Sequence, residues 1–259
     1  MIFLGPGGTN GLGYEEAFKL LSLKKLNALE VEFTYGVRMT NETAQTVGEL
    51  AKKHKIRLSV HGPYYINLVS KEKIKVAASK KRILDSCERG HYLGADYIVF
   101  HAGFYQGREM EQMYNDIKEQ IIELNDTIKE RKWRVTLAPE LTGKGTQFGD
   151  IDELLRLVKE TKCHLTVDFS HWKARTNGTV NYSEMMDFLS GIKHVHAHFS
   201  GIEYSNKGER RHVDTPDSEI MSLLSEAVKR KGSMTIINES PDPFRDSEKT
   251  RKTLLSLTE

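Results

Sequence analysis

Short apolar runs alternate along the chain with longer segments in which apolar residues recur every three or four positions. The short runs are rich in valine, isoleucine and leucine, which is typical of buried strands in a parallel sheet. The pattern predicts eight strands, namely Ile2–Leu4, Ala28–Phe33, Arg57–His61, Asp96–His101, Val135–Glu140, His164–Asp168, Lys193–Phe199 and Met234–Glu239.

The segments between these runs have a helical period. In the clearest one, residues 107–131, Met113, Ile117, Ile121 and Leu124 form one apolar stripe with polar flanks. Weaker patterns of the same kind predict helices at 14–25, 43–54, 72–93, 150–160, 181–190, 217–231 and 247–258. Side chains suited to capping a helix N-terminus stand near four of these starts, at Asn41, Asp150, Asn181 and Asp217.

Strands that alternate with helices imply crossover connections and a parallel sheet. Eight such units in 259 residues fit a (β/α)8 barrel, so we predict an α/β protein with a single TIM-barrel domain over residues 1–259. A doubly wound open sheet is the alternative.

Composition narrows the class of protein only slightly. The formal net charge is +2, so a nucleic-acid partner must be argued from local patches. Two distant cysteines, Cys87 and Cys163, are a poor disulfide framework and favour a reducing compartment. The stretch MIFLGPGG lacks the basic region of a signal peptide, and no apolar run approaches the roughly 18 residues of a membrane span. We therefore expect a cytoplasmic protein without a membrane partner. We also expect a monomer, because the sequence shows no obvious exposed apolar seam.

Residues that bind metals stand at the ends of six consecutive predicted strands. They are His61, His101, Glu140, Asp168, His198 and Glu239, with His171 just beyond the sixth strand. In a parallel barrel the carboxyl ends of the strands surround one mouth, where barrel enzymes place their chemistry. Imidazole and carboxylate ligands without thiolate suit zinc, manganese or iron. Their number exceeds the needs of one ion, which favours a multi-metal centre that hydrolyses phosphate esters.

The stretch KHVHAHFSGIEY carries three histidines at alternate positions, His194, His196 and His198. Alternation in a strand puts all three side chains on one face. Because His198 is nearest the mouth, we predict it as a metal ligand, His196 as a supporting or core residue, and His194 as structural.

The ordered motifs HGPYYINL, FHAGFY, PELTGKGTQFG, VDFSH, HFSGIEY, KGERRH and NESPDP resemble the endonuclease IV family of abasic-site endonucleases, most closely its archaeal branch. The resemblance runs from about residue 28 to residue 245 and implies a barrel with three zinc ions. It implies hydrolysis of the phosphodiester 5′ of an abasic site in double-stranded DNA.

The same resemblance implies a ligand set, in which Glu140 bridges two ions and, with Glu239, positions the nucleophile. His61 and His101 match further ligands of the first zinc. The further ligands of the second zinc are matched by Asp168, His198 and Glu239, and those of the third by His171 and His212. The family has an aspartate where this chain has Arg210, so the third zinc lacks a carboxylate unless Glu209 or Asp214 replaces it. The family's early histidine motif is replaced by GPGGTNG, a glycine-rich stretch that we interpret as a tight turn rather than a phosphate loop.

Two groups of residues match positions that contact DNA in the family. Arg38, Tyr64 and Tyr65 occupy loops that enter the duplex at the lesion, and Lys207, Arg210 and Arg211 form a basic run suited to phosphates. The alternatives are ordinary loop packing for the tyrosines and a solvated loop for the basic run.

Two other functions stay open at this point. Glu140, Asp168, His198 and Glu239 match the single-metal set of barrels that resemble xylose isomerase and the ketose 3-epimerases, although the remaining histidines would then be surplus. The arginine in place of the family's aspartate also allows a lesion-binding protein with little activity.

Overall fold

The computed structural model describes residues 1–258, and in it eight parallel strands close into a barrel. The barrel strands are Ile2–Pro6 (β1), Ala28–Glu32 (β2), Arg57–His61 (β3), Tyr97–Phe100 (β4), Thr136–Pro139 (β5), Thr166–Asp168 (β6), His194–Phe199 (β7) and Ser233–Asn238 (β10). Each predicted strand is present, with ends that differ by at most two residues. The predicted (β/α)8 barrel is confirmed.

The barrel consists of two four-stranded sheets, in the orders β1-β10-β7-β6 and β2-β3-β4-β5. Single bridges between Gly7 and Glu30 and between Glu140 and Thr166 join them. At the first seam the strands approach so closely that a Cβ on Gly5 would lie 1.7 Å from the carbonyl oxygen of Ala28. Only glycine permits this approach, and it allows the barrel to close there.

Helices cover the outside of the barrel. They are Tyr14–Leu23 (α1), Asn41–Lys53 (α2), Lys73–Leu93 (α3), Met110–Glu130 (α4), Ile151–Thr161 (α5), Phe169–Arg175 (α6), Tyr182–Phe188 (α7), Asp217–Ala227 (α8) and Pro243–Thr258 (α9). The stripe predicted on α4 is buried throughout. The short helix α6 was not predicted, because its seven residues are too few to show a period.

Two of the four predicted helix caps are correct. Asp150 begins α5 in a reciprocal capping box with Glu153, and Asn181 accepts backbone hydrogen bonds at the start of α7. The predictions for Asn41 and Asp217 are wrong by one residue, since both are the first residues of their helices. Thr40 caps α2 instead, and its hydroxyl accepts the N–H of Thr43.

An antiparallel hairpin after β7, formed by Gly201–Ser205 (β8) and Gly208–Val213 (β9), was also not predicted. Its residues are largely polar, so it lacks the apolar signal of a barrel strand. It lies over the mouth of the barrel and contacts α6.

Cys87 and Cys163 are both free thiols and both are buried. Within residues 1–258, none of the helices combines the length and apolar character needed to cross a bilayer.

Candidate metal centre

The carboxylate of Glu140 lies at the centre of the mouth, at the end of β5, and is almost completely buried. Its Oε2 atom lies 3.2 Å from Nε2 of His61 and 3.0 Å from Nε2 of His101, which lie at the ends of the neighbouring strands β3 and β4. These three residues offer donor atoms close enough to hold one metal ion.

The other oxygen of Glu140 faces a second group at or near the ends of strands β6, β7 and β10. Nδ1 of His198 lies 3.5 Å from Glu140 Oε1 and 3.2 Å from Glu239 Oε1. With Asp168, these residues present four donor atoms within 4.8 Å of one another. Glu140 therefore connects the two groups, as a bridging carboxylate would.

A third group adjoins the second one. Nδ1 of His171 lies 3.1 Å from Glu140 Oε1 and 3.2 Å from Asp168 Oδ2, while its Nε2 faces Nε2 of His212 at 3.3 Å. The structure thus brings together all eight residues that the motifs nominated as metal ligands. Arg210 is exposed and Asp214 forms an ion pair with Arg245 at 2.6 Å.

The electrostatics of the cluster favour a bound cation. Burial lowers the pKa of His61 and of His171, but hydrogen bonds and the negative potential of Glu140 and its neighbours outweigh burial and raise both to about 10. Burial likewise opposes protonation of His198, and Glu239, Glu30 and Glu140 raise its pKa well above the ordinary value. Raised histidine pKa values of this kind mean that the carboxylates give the site excess negative charge, which a bound cation would offset.

Three buried side-chain atoms of the ligand candidates form no hydrogen bond among residues 1–258. They are Oδ2 of Asp168, which lies 3.2 Å from Nδ1 of His171, and both ring nitrogens of His198, of which Nδ1 faces Glu239. The other oxygen of Asp168 accepts the N–H groups of Ser170 and His171, so the side chain is held in place. Buried oxygen and nitrogen atoms without hydrogen bonds are costly unless something binds them, and a set of imidazole and carboxylate donors suits a divalent metal ion.

Beneath the metal cluster lies a buried supporting layer centred on Glu30, which was not predicted from the sequence. Glu30 Oε1 lies 2.8 Å from Nε2 of His198, and its Oε2 lies 2.8 Å from Nε2 of His196 and accepts the hydroxyl of Ser59 at 2.6 Å. Burial raises the pKa of Glu30, but the two histidines hold it well below the usual range. Glu30 thus orients His198 so that Nδ1 faces the cluster.

The other two histidines of β7 have the places predicted for them. His196 lies one layer below His198, whereas His194 is half-buried at the far end of the strand. There Nδ1 of His194 lies 2.7 Å from the Ser233 hydroxyl, and burial lowers the pKa of His194 to about 4.

Glu32, two residues after Glu30 on the same strand, is a second missed carboxylate. It lines the mouth, its Oε1 has no hydrogen-bond partner among residues 1–258, and burial raises its pKa to about 8. The signal for both was present in LEVEF, where acids alternate with apolar residues in a predicted strand.

The mouth opens into a cavity of about 580 Å³. Beyond the ligand candidates it is lined by cations at Lys144 and Arg211 and by the aromatic rings of Tyr64 and Phe104. Lys144 and Phe104 were not predicted, although each lies in a motif that carries a ligand candidate.

The predicted DNA-contacting residues all lie at the surface. Tyr64 is 57% exposed and Tyr65 is 49% exposed, and Arg38, Lys207, Arg210 and Arg211 are exposed as well. Tyr64 and Arg211 line the cavity itself. The guanidinium of Arg211 makes a two-point ion pair with Glu203, at 2.9 and 2.7 Å.

The glycine-rich stretch after β1 forms a turn, as interpreted from the sequence. The N–H of Gly7 donates to the carbonyl of Asn238, and that of Gly8 donates to the carbonyl of Glu30. Because these two N–H groups are used within the barrel, they do not form a phosphate-binding loop.

Comparison with known proteins agrees with this architecture. An uncharacterised protein of Methanocaldococcus jannaschii is 38% identical over an alignment that covers 93% of this chain and 92% of that protein. A probable endonuclease 4 of Mycobacterium leprae is 24% identical, with 79% of this chain and 81% of that protein covered. The resemblance stated from the motifs is confirmed by such relatives.

Solved structures support the fold in the same way. Endonuclease IV from Thermus thermophilus superposes with a TM-score of 0.70 at 17% identity, covering 99% of this chain and 98% of that one. A D-tagatose 3-epimerase-like protein superposes equally well, with a TM-score of 0.71 at 18% identity and coverages of 98% and 97%. The family model described as xylose isomerase-like TIM barrel matches residues 18–257, and the chain belongs to that family.

Proposed function

We propose that this protein is a zinc-dependent endonuclease that incises double-stranded DNA on the 5′ side of abasic sites. The observation that carries the proposal is the position of Glu140, whose two oxygens face two separate groups of histidine and carboxylate donors. A centre of this kind suits in-line hydrolysis of a phosphodiester, in which attacking and leaving oxygens both need stabilisation. Relatives named as probable endonuclease 4 support the same reaction.

The donor set divides into ligands and supporting residues. His61, His101 and Glu140 would hold one zinc, and Asp168, His198 and Glu239, again with Glu140, would hold a second. Zinc bound there would bring the pKa of a bound water close to neutrality and would offset the charge of a phosphate.

The two glutamates of the centre differ in their access to solvent. Glu140 is 1% exposed, whereas the Glu239 side chain is 18% exposed at the cavity. The pKa of Glu140 is well below its usual range, because His101 and His198 outweigh the effect of burial, so it is a carboxylate at neutral pH. We assign bridging to Glu140 and positioning of the attacking water to Glu239.

The cavity wall provides charge for the phosphate itself. Lys144 and Arg211 line it from the loop after β5 and from β9. Cations at such places fix the phosphodiester by charge-assisted hydrogen bonds without reading the base sequence. Hydrolysis would leave a 3′-hydroxyl on one side and a 5′-phosphate on the abasic sugar.

An exposed aromatic wall beside the cavity fits a damaged duplex. Tyr64 and Tyr65 follow β3, and Tyr35, which follows β2, is 80% exposed. The two loops are tied together, because the N–H of Tyr64 donates to the carbonyl of Thr34 at 3.4 Å. Aromatic rings at such a place can enter the base stack, and an abasic nucleotide makes that entry less costly.

A sugar epimerase is the second candidate, favoured by one specific observation. Glu140, Asp168, His198 and Glu239 by themselves form a single four-donor group, and an epimerase-like protein shares the fold. An enzyme with one metal would have no use for His61 and His101, which lie against the opposite oxygen of Glu140. We therefore rank this function below the endonuclease.

The test is incision of an end-labelled duplex that carries one tetrahydrofuran abasic analogue. We expect a single cut 5′ of the analogue that is lost after chelation and restored by zinc. Glu140→Gln should lower the rate by on the order of 100-fold or more, because it removes a charge from the centre. Glu119→Gln, on the exposed face of α4, is the matched control and should retain the wild-type rate.

His101→Gln serves as a second active-site variant, since the His101 side chain is 22% exposed and its loss disturbs the core less. Absence of cutting by folded, zinc-loaded protein would reject the endonuclease. Turnover of ketose sugars would then support the epimerase, and tight lesion binding without cutting would support a lesion-binding protein.

A further inference from the structure

The hairpin β8–β9 contains a one-residue bulge at Arg210. Glu203 pairs with Arg211, but the next residue, Tyr204, pairs with Glu209, so Arg210 is the extra residue on its strand. A bulge of this type interrupts the alternation of side chains between the two faces of a strand. The side chain that shares a face of β9 with His212 is therefore Glu209 and not Arg210.

The side-chain positions agree with this change of phase. Oε2 of Glu209 lies 3.5 Å from Nε2 of His171, and that nitrogen lies 3.3 Å from Nε2 of His212. Arg210 is exposed instead. The Glu209 carboxylate and the His212 ring thus both face Nε2 of His171 at the edge of the cavity, while Asp214 is engaged by Arg245 outside it.

The Glu209 backbone is fixed against the loop that follows Glu140. Its N–H donates to the carbonyl of Gly143 at 3.1 Å. A Cβ on Gly143 would lie 2.7 Å from Cβ of Glu209 and 3.1 Å from its Oε2. Glycine at this position in the PELTG motif therefore leaves the space that the Glu209 side chain occupies.

We propose that Glu209 supplies the carboxylate of a third divalent-cation site, together with His171 and His212, and that the bulge at Arg210 makes this possible. The inference rests on the proposed function as a multi-metal enzyme. Two imidazoles and one carboxylate form a zinc set that leaves a position free for a water or a phosphate oxygen. The arginine at position 210 is then a solvent-facing residue and not a damaged ligand.

Zinc content per chain tests the proposal independently of DNA cleavage. Wild-type protein and variants are stripped with a chelator, reloaded with zinc alone, freed of excess metal and measured by elemental analysis. We expect Glu209→Gln to hold one zinc ion fewer than the wild type, and Arg210→Gln and the control Glu119→Gln to hold the wild-type number. Glu209→Asp keeps a carboxylate and should retain the ion with lower affinity.

Unfolding of the stripped proteins shows whether the variants fold, and we expect Glu209→Gln to match the wild type there. The proposal is overturned if folded Glu209→Gln retains the wild-type zinc content, or if Arg210→Asp binds an additional ion. Loss of one zinc from Glu209→Gln in a protein that does not cut DNA would uphold the third site and reject the endonuclease. If Glu209→Gln has the wild-type zinc content and the wild-type protein cuts DNA fully, the third site is rejected and the endonuclease is upheld.

Discussion

Replacing Glu30 by glutamine should loosen the metal centre without altering a residue that we assign as a ligand. Glu30 is fully buried and is the common partner of His196, His198 and Ser59, at 2.8, 2.8 and 2.6 Å. Glutamine keeps the shape of the side chain but removes the charge that both histidines face. The histidine that we assign as a ligand then loses the group that orients it.

The magnitude follows from two separate effects. Removing one partner of a buried ion pair costs about 3–5 kcal/mol of folding stability. Loss of a carboxylate that orients a ligating histidine weakens metal binding by about 10–100-fold, which is about 1.4–2.7 kcal/mol. We expect Glu30→Gln to show both losses, with the first present even in chelated protein.

The pH dependence adds a check on the sign. The folded-state pKa of Glu30 lies well below its usual value, so its contribution to stability is complete above its unfolded pKa of about 4.3. That contribution is lost as the pH falls through the folded value. The difference in unfolding free energy between wild type and Glu30→Gln should therefore shrink in acid.

Denaturant unfolding in chelator measures the first effect, and competition for zinc with a chromophoric chelator measures the second. Glu119→Gln provides the control for removal of an exposed carboxylate. If Glu30→Gln unfolds within about 0.5 kcal/mol of the wild type and binds zinc equally well, the assignment of Glu30 as the support of His198 is wrong.

Three further predictions concern other parts of the molecule. The pKa values of His61 and His171 are raised to about 10. The stability that their protonation contributes is therefore complete below about pH 6.5 and is lost toward pH 10. Because zinc competes with these protons, the gain in melting temperature on adding zinc should grow from about pH 6.5 to about pH 9, and a gain that is constant with pH would contradict this. Tyr64→Ala should weaken binding to abasic duplex by about 1–3 kcal/mol in a gel-shift titration, with an unchanged melting temperature; equal binding would remove Tyr64 from the interface. Gly5→Ala places a Cβ 1.7 Å from the Ala28 carbonyl and should destabilise the protein by more than about 3 kcal/mol in denaturant unfolding; a near-neutral result would mean that this seam can open.

Six of the eight ligand candidates were predictable because each one depends on a local signal and one general rule, whereas His212 was nominated only by its motif. Apolar runs mark strands, alternation with helices makes the strands parallel, and a parallel barrel gathers the carboxyl ends of its strands at one mouth. His61, His101, Glu140, Asp168 and Glu239 needed nothing more than a position at a strand end.

The supporting layer could not be predicted in the same way. Glu30 and His196 are 166 residues apart, and they meet only because the barrel closes through the Gly7–Glu30 bridge and the pairing of β10 with β7. In the sequence Glu30 is one acid in an apolar run, without a sign of its partner.

The chain by itself determined the order of strands and helices, the fold class and most of the donor side chains at the mouth, because hydrophobic period and strand ends are local properties. Tertiary structure decided which of those side chains face one another, and the hairpin is the clearest case. Simple alternation from His212 selects Arg210, whereas one extra residue in the strand pairing selects Glu209. A bulge depends on how two strands pair and dock on the PELTG loop, and that information does not lie in the period of either strand alone.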